Sequence, residues 1–342
     1  MGQISHRPFK DSARPEFSIV VPFFNEADNV LEFHQRISAT MRSLGSSYEL
    51  VFVDDGSRDA TPRLLDDLQA DDPRLVLVRL TRNFGHQAAI SAGLDLARGR
   101  AVVVMDGDLQ DPPEVVEQLI QAWHEGHDVV YAIRTKRKEG LLKRFAYATF
   151  YRVLRAVSDI DIPLDSGDFC LMDRRAVNAL KDLPERQRFV RGLRSFVGFR
   201  QIGIRYERAA RHAGEPKYTW RALLRLAVDG LVSFSGFPLN VITYLGLVSA
   251  VISVLFTFGV LTVCCAQRTL PAGWAATILA VLYLGTIHLI SLGIMSEYVR
   301  RIFIEAKGRP PYIVRDVRRA DGDQILRFRQ PRRGRRRPSP AA

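Results

Sequence analysis

Over the first 135 residues, short apolar runs alternate with longer amphipathic stretches. Phe17–Pro22, Tyr48–Asp54, Leu75–Leu80, Ala101–Asp106 and Asp128–Ala132 are rich in Val and bounded by Gly, Asp, Asn or Pro, which predicts five strands. Between them, Ala27–Arg42, Thr61–Gln69, His86–Ala97 and Pro113–Trp123 place apolar residues at helical spacing. Strands apolar on both faces and separated by helices predict a mostly parallel sheet covered on both sides. The expected fold class is α/β.

The pattern changes towards the C-terminus. Leu239–Ala266 is a run of 28 residues without Asp, Glu, Lys or Arg, and Trp274–Met295 is another of 22. A helix needs about 20 apolar residues to cross the hydrocarbon core, so the two runs predict a transmembrane hairpin turning at Gln267–Gly273. Two buried core helices are the plainer alternative, but such helices usually keep one polar stripe. Lys217, Arg221 and Arg225 precede the first run, and Arg300, Arg301, Lys307 and Arg309 follow the second. The positive-inside rule then puts both ends in the cytoplasm. Without an N-terminal apolar h-region, the preceding body is expected to be cytoplasmic as well. Tyr218–Phe234 reads as an amphipathic interfacial helix; Gly140–Val157 reads equally as interfacial or as a packed surface helix.

Composition adds little until charge is located. Of the net charge of +12, seven units come from Arg315–Ala342, with ten Arg against three Asp. This Arg/Pro-rich end has too few apolar groups to fold alone and is expected to be disordered, attracted to anionic headgroups rather than to nucleic acid. The three cysteines, Cys170, Cys264 and Cys265, show no zinc-site spacing and fit a reducing compartment. The organisation expected is an N-terminal extension (1–16), a cytoplasmic domain (17–216), a juxtamembrane amphipathic helix (217–237), a membrane hairpin (238–296), a juxtamembrane segment (297–314) and a basic tail (315–342).

Candidate chemistry gathers where strands end. The first strand runs into "VVPFFNE", the second into "VFVDDGSRDAT" and the fourth into "VVVMDGDLQDPPE". In parallel sheets, ligands collect at the carboxyl ends of strands. Neither G-x-G-x-x-G nor a P-loop sequence occurs, so a dinucleotide site and a P-loop are unsupported. Asp106 and Asp108, at i and i+2, can converge on one Mg²⁺ or Mn²⁺, which takes few protein ligands and completes its shell with phosphates and water. Gly107 between them would let the backbone approach a ligand. The plainer alternative is an acidic loop capping a helix that starts at Pro112 or Pro113, with Asp111 as N-cap. Three acidic clusters side by side favour the cation, which would relieve their repulsion.

"VVPFFNE", "VDDGSRDAT", "RNFGHQAAISAGLDLARG", "VMDGDLQDPPE", "SGDFCLMDR", "RFVRG" and "GEPKY" occur in this order. Together with the hairpin they resemble the family 2 glycosyltransferases that load sugars onto polyprenyl phosphate, bactoprenol glucosyltransferases above all and dolichyl-phosphate mannose synthases next. The resemblance spans roughly Phe17 to Val314. It implies a GT-A type, Rossmann-like α/β fold with a C-terminal two-helix transmembrane hairpin, a divalent metal (Mg²⁺ or Mn²⁺), and inverting transfer without a covalent sugar-enzyme intermediate. The implied partners are a nucleotide sugar, UDP-glucose first, a polyprenyl phosphate such as undecaprenyl phosphate, the membrane, and further copies of the chain. GDP-mannose or a UDP-amino sugar stays open as donor.

By the same resemblance Pro22, Phe24, Glu26 and Asp55 line the nucleoside pocket, while Asp106, Asp108 and Gln110 hold metal and diphosphate. Arg134 and Lys217 meet phosphates, and Asp168 sits near the reacting carbon. For Arg134 and Lys217 plain surface charge is the alternative, and for Asp168 a loop residue bonding its own backbone. The family commonly carries Arg at the position of Cys170 and Ala at that of Gly107, the second difference being expected to be harmless. Processive polysaccharide synthases share the nucleotide half but usually show Q-x-x-R-W and more spans; here the nearest string is "QRFVRG". A non-catalytic nucleotide-sugar sensor predicts loss of the metal-binding acids, which are intact.

Overall fold

The computed structural model describes residues 14–134, 166–186, 188–207, 237–267 and 273–320. The expectations for 140–157, 218–234, Lys217 and most of the basic tail lie outside them. The chain divides into two compact units, one of Met1–Lys138, Ile162–Pro216 and Pro310–Ala342, the other of Glu139–Asp161 and Lys217–Arg309.

In the first unit, β1 (Phe17–Phe23), β2 (Tyr48–Asp54), β3 (Leu75–Leu80), β4 (Ala101–Val104) and β5 (Val129–Arg134) alternate with α1 (Ala27–Ser43), α2 (Thr61–Asp71), α3 (His86–Leu96) and α4 (Val115–His124). There follow β6 (Ser166–Asp173), α5 (Arg174–Asp182), α6 (Val190–Phe196), β7 (Gln201–Tyr206) and, after the second unit, β8 (Val314–Arg318). The strands form one sheet in the order β7-β5-β6-β4-β1-β2-β3-β8. Only β6 and β8 run against the rest. The five predicted strands and four predicted helices are all present. The chain winds outward from β1 to β3, then crosses back to β4 on the other side of β1, so the topological switch point lies between β1 and β4. In such sheets that crevice takes the ligand.

Both faces of the sheet are covered, which explains the continuous apolar runs. Phe17, Ile19, Val21 and Phe23 share one core with Phe33, Ile37 and Met41 of α1 and Val116, Leu119 and Ile120 of α4. On the other face, α3 packs against β1 and β2. It comes very close: a Cβ on Gly93 would stand 2.2 Å from Val20 Cγ1 and 3.2 Å from Val53 Cγ2. Gly93→Ala therefore forces α3 away from the sheet and should destabilise the protein by about 1–3 kcal/mol, measured by thermal or denaturant unfolding.

Strand β8 corrects the boundary drawn for the disordered tail. Val314 and Val317 are buried, and the strand pairs antiparallel with β3. Buried Arg79 of β3 explains why a charged segment can be recruited: it pairs with Asp66 and lies 4.0 Å from Asp316 of β8. Arg318 also reaches Asp66, at 2.8 Å, and Arg319 reaches Glu49, at 3.1 Å. Asp316, Arg318 and Arg319, three of the charges in that tail, are ion-pair partners of the folded unit.

In the second unit, α7 (Phe237–Gln267) and α8 (Trp274–Lys307) touch each other. Leu247, Val254, Phe258 and Leu289 are each more than 60% exposed. Among the residues whose side chains are described, no helix is long and apolar enough to cross a membrane. Several side chains of α7 fall outside that set, while its sequence carries no charge from Leu239 to Ala266. His288 turns its Nδ1 to the Leu284 carbonyl of its own helix, at 2.9 Å.

Candidate active site

The ends of β1 and β2 are laced together before any ligand is considered. Asn25 adopts a left-handed conformation (φ 53), which Asn tolerates better than most residues. Its amide N–H donates to Ser57 Oγ and its Oδ1 accepts from the Arg58 N–H. Gly56 (φ 69) is required twice over, since a Cβ there would also lie 2.6 Å from the Arg82 backbone. The acids of these two loops are largely committed to the protein. Glu26 accepts from Asn29 Nδ2 at 2.6 Å, and Asp54 accepts from the Ser57 N–H at 2.9 Å. Asp55 takes the N–H groups of Phe84 and Gly85 on its two oxygens, at 2.7 and 2.9 Å. Burial raises the Asp55 pKa, with those two bonds opposing. Of the residues expected to line a nucleoside pocket, Pro22 is buried in β1, Phe24 is half-buried, and Asp55 positions the loop that starts α3.

The fourth strand end is built differently. The strand predicted to reach Asp106 stops at Val104, because the ladder to β6 ends at the Val104–Cys170 pair while the Met105 N–H still bonds Val20. Beyond it the chain bends through Leu109, a buried residue held left-handed at φ 58. For an L-residue this costs about 1–2 kcal/mol, which burial of its side chain offsets. Gly107 has Phe23 against it: a Cβ would meet that ring at 2.4 Å. In this chain an Ala at position 107 would require Phe23 to shift.

Helix α4 starts at Val115 with Glu114 as N-cap, so Asp111 does not cap it. Asp111 is fully buried instead, accepting from the Tyr206 hydroxyl and facing Arg134 Nη2 at 3.5 Å. Arg134 Nε also donates to the Tyr206 hydroxyl at 3.3 Å. Although burial works against it, the nearby Asp111 raises the Arg134 pKa. Tyr206 is pushed up by burial and by Asp111.

Strand β6 then delivers Asp168. It lies in a strand, not in a loop bonding its own backbone. Continued two residues past the Val104–Cys170 pair, the antiparallel register sets Asp168 opposite Asp106. His86, the first residue of α3, stands between them, with Nε2 3.3 Å from Asp106 Oδ1 and 3.3 Å from Asp168 Oδ2. Burial disfavours its charge, but the Asp168 hydrogen bond and both carboxylates hold its pKa at about 9. The ring is 44% exposed, so water screens part of that attraction.

The two carboxylates sit in opposite environments. Burial first, then Asp111, Asp168 and Asp108, push Asp106 upward against the pull of His86. Asp168 is driven below the usual range, since Arg191, His86 and Arg194 outweigh its burial. Arg191 Nε lies 3.6 Å from Asp168 Oδ1, and Gln87 Nε2 donates to Asp168 Oδ2 at 3.0 Å.

Asp106 Oδ1 is a shielded oxygen that receives no hydrogen bond from any described residue, with His86 Nε2 3.3 Å away. Asp108 Oδ1 takes the Gln110 N–H at 3.1 Å, and Gln110 is half-buried on the same loop. Among the described residues, no group of three or more His, Cys, Asp or Glu forms a protein-only cage. Asp106 and Asp108 would offer a hard cation two carboxylates, with phosphate oxygens completing its shell. The donor set fits.

His86, Gln87 and Tyr206 were missed in the sequence. The first two belong to a quoted motif, and their place at the start of a helix was readable, but their partners are on other strands. Tyr206 has no local signal. Buried Cys170, on the same side of β6 as Asp168, lies beside Arg194; burial raises its pKa and Arg194 opposes. Arg194 is itself fully buried, donating to the Gly167 carbonyl at 3.3 Å.

An α/β sheet with a switch-point crevice and opposed acids on one rim has the layout of a nucleotide-sugar transferase. Residues 18–181 match the family described as "Glycosyl transferase family 2". The chain is 45% identical over 300 residues to the uncharacterized glycosyltransferase YkcC of Bacillus subtilis, covering 87% of this chain and 93% of the relative. It is 40% identical over 307 residues to the SfII prophage-derived bactoprenol glucosyl transferase of Shigella flexneri, covering 90% and 99%. A prophage bactoprenol glucosyl transferase homolog of Escherichia coli K12 matches at 38%, covering 89% and 100%. The chain belongs to glycosyltransferase family 2. Among solved structures it is similar to a mannosyltransferase from Pyrobaculum calidifontis in complex with GDP-Man and Mn²⁺, at 21% identity over 85% of this chain and 88% of that one. The TM-score of 0.43 is too low to carry any residue across.

Proposed function

We propose that this protein transfers a sugar from a nucleotide sugar, UDP-glucose first, to the phosphate of a polyprenyl phosphate at the cytoplasmic face of a membrane. The observation that carries the reading is the meeting of Asp106 and Asp168 on the switch-point rim, each 3.3 Å from the same nitrogen of His86. Relatives named as bactoprenol glucosyl transferases, alike over nearly their whole length, support the acceptor.

A phosphate oxygen of the acceptor forms a bond to the sugar carbon as the bond to the diphosphate breaks, its electron pair leaving with the diphosphate. A divalent cation held by Asp106 and Asp108, with Gln110 beside them, would stabilise that departing charge. The acceptor phosphate is already ionised near neutral pH and needs no base. Asp168, held ionised by Arg191 and His86, serves as a fixed negative charge beside a carbon that becomes electron-poor. Arg134, anchored on Asp111 and Tyr206, offers a pre-oriented guanidinium for a phosphate. Helices α7 and α8 supply the anchor: their exposed apolar faces suit lipid, and an acceptor confined to the bilayer is met more often by an enzyme held there.

The test incubates the full chain with polyprenyl phosphate, Mg²⁺ or Mn²⁺, and UDP-glucose, GDP-mannose and UDP-amino sugars in turn. Formation of a lipid-linked hexose, fastest from UDP-glucose, is the expected result. No lipid-linked sugar from any donor would overturn the reading.

A further inference from the structure

Among the described residues, His86, Arg191 and Gln87 each contact the Asp168 carboxylate, and they differ in kind. His86 bonds Asp168 Oδ2 from 3.3 Å and Arg191 Nε lies 3.6 Å from Oδ1, both on partly exposed side chains. Gln87 makes the short directional contact, Nε2 to Oδ2 at 3.0 Å. Its amide orientation follows from chemistry. The Val190 N–H lies 2.9 Å from Gln87 Oε1 and can only donate, so the oxygen must face Val190 and the NH₂ must face Asp168. A reversed amide would set two donors against each other and an oxygen against a carboxylate.

Three separate segments meet at this one side chain. Gln87 lies in the first turn of α3, Asp168 in β6, and Val190 opens α6, the helix that carries Arg191 and Arg194. Asp168 and the arginines that surround it are thus set to one register by a neutral group, which orients the carboxylate without cancelling its charge.

We propose that Gln87 is a positioning residue: by bridging Asp168 and the start of α6 it holds the Asp168 carboxylate in the orientation that sugar transfer uses. The proposal rests on the transfer reading given above. Two substitutions divide the bridge. Gln87→Glu keeps an acceptor for the Val190 N–H but, ionised, offers no donor to Asp168. Gln87→Met keeps the approximate shape and loses both contacts. In the full chain, both are expected to lower kcat about tenfold or more while the KM for the nucleotide sugar stays within about twofold, the pattern of an interaction used in the transition state. Wild-type kcat in Gln87→Glu, or losses confined to KM, would overturn the proposal.

A thermal double-mutant cycle of Gln87→Met and Asp168→Asn supplies a readout independent of turnover. Each change alone should lower Tm, and the pair should lower it by less than the sum. The cycle also separates the two failures. Non-additivity in a chain inactive with every donor sinks the transfer reading and leaves the bridge standing. Additivity sinks the bridge and leaves the transfer reading standing.

Discussion

Asp106→Asn should lower turnover by about a thousandfold or more, the scale on which removal of a charge-stabilising group acts at a transition state. Without added divalent cation, the same substitution should leave Tm unchanged or raise it. Both halves come from one cause. Burial and the nearby Asp111, Asp168 and Asp108 push this carboxylate towards its protonated form, so the folded chain gains little from its charge and loses something by it. An amide of the same shape removes that repulsion. What it cannot do is present an anionic oxygen to a cation shared with a diphosphate. Asp108→Asn should lose activity too, and chelation with EDTA should abolish transfer in the wild type until Mg²⁺ or Mn²⁺ is restored. Full turnover in Asp106→Asn, or a large drop in its Tm, would contradict this account.

Asp168→Asn should also cost activity, about a hundredfold or more in kcat, but with the opposite signature in stability. Here Arg191, His86 and Arg194 overcome burial and hold the carboxyl below its unfolded range. A depressed folded pKa means stability gained above the unfolded value and lost as pH falls through the folded one. At neutral pH the full contribution is present, so Asp168→Asn should lower Tm and leave two arginines and a histidine short of a counter-charge. Two acids on one rim should thus respond to the same chemical change with Tm shifts of different sign. Calorimetry on the two variants, run beside the transfer assay, checks the contrast; a rise in Tm for Asp168→Asn would contradict it.

That contrast marks where sequence reasoning stopped. Asp106 and Asp168 are both Asp, both follow Gly or precede it, and both stand in apolar surroundings. Nothing local distinguishes a carboxylate raised by other acids from one lowered by arginines. Asp54, Asp55 and Glu26 are satisfied by backbone N–H groups and by Asn29, and only the Asp106 loop keeps a shielded, unbonded oxygen. Nor does the local sequence show that the Phe23 ring packs where a side chain on Gly107 would stand.

Legible along the chain were the strands and helices up to β5, the parallel character of the sheet, the rim on which the acids gather, and the two long apolar helices. These follow from apolar periodicity and from residues whose chemistry is local. Tertiary structure alone decided that β6 enters antiparallel beside β4, so that Asp168 faces Asp106 across the register. It also decided that His86, Gln87 and Arg191 surround that carboxylate, that Tyr206 and Arg134 enclose Asp111, and that a charged segment near the end of the chain becomes the edge strand β8. Each of these depends on partners distant in sequence, and pKa, ion pairing and carboxylate orientation are properties of the partners as much as of the residue.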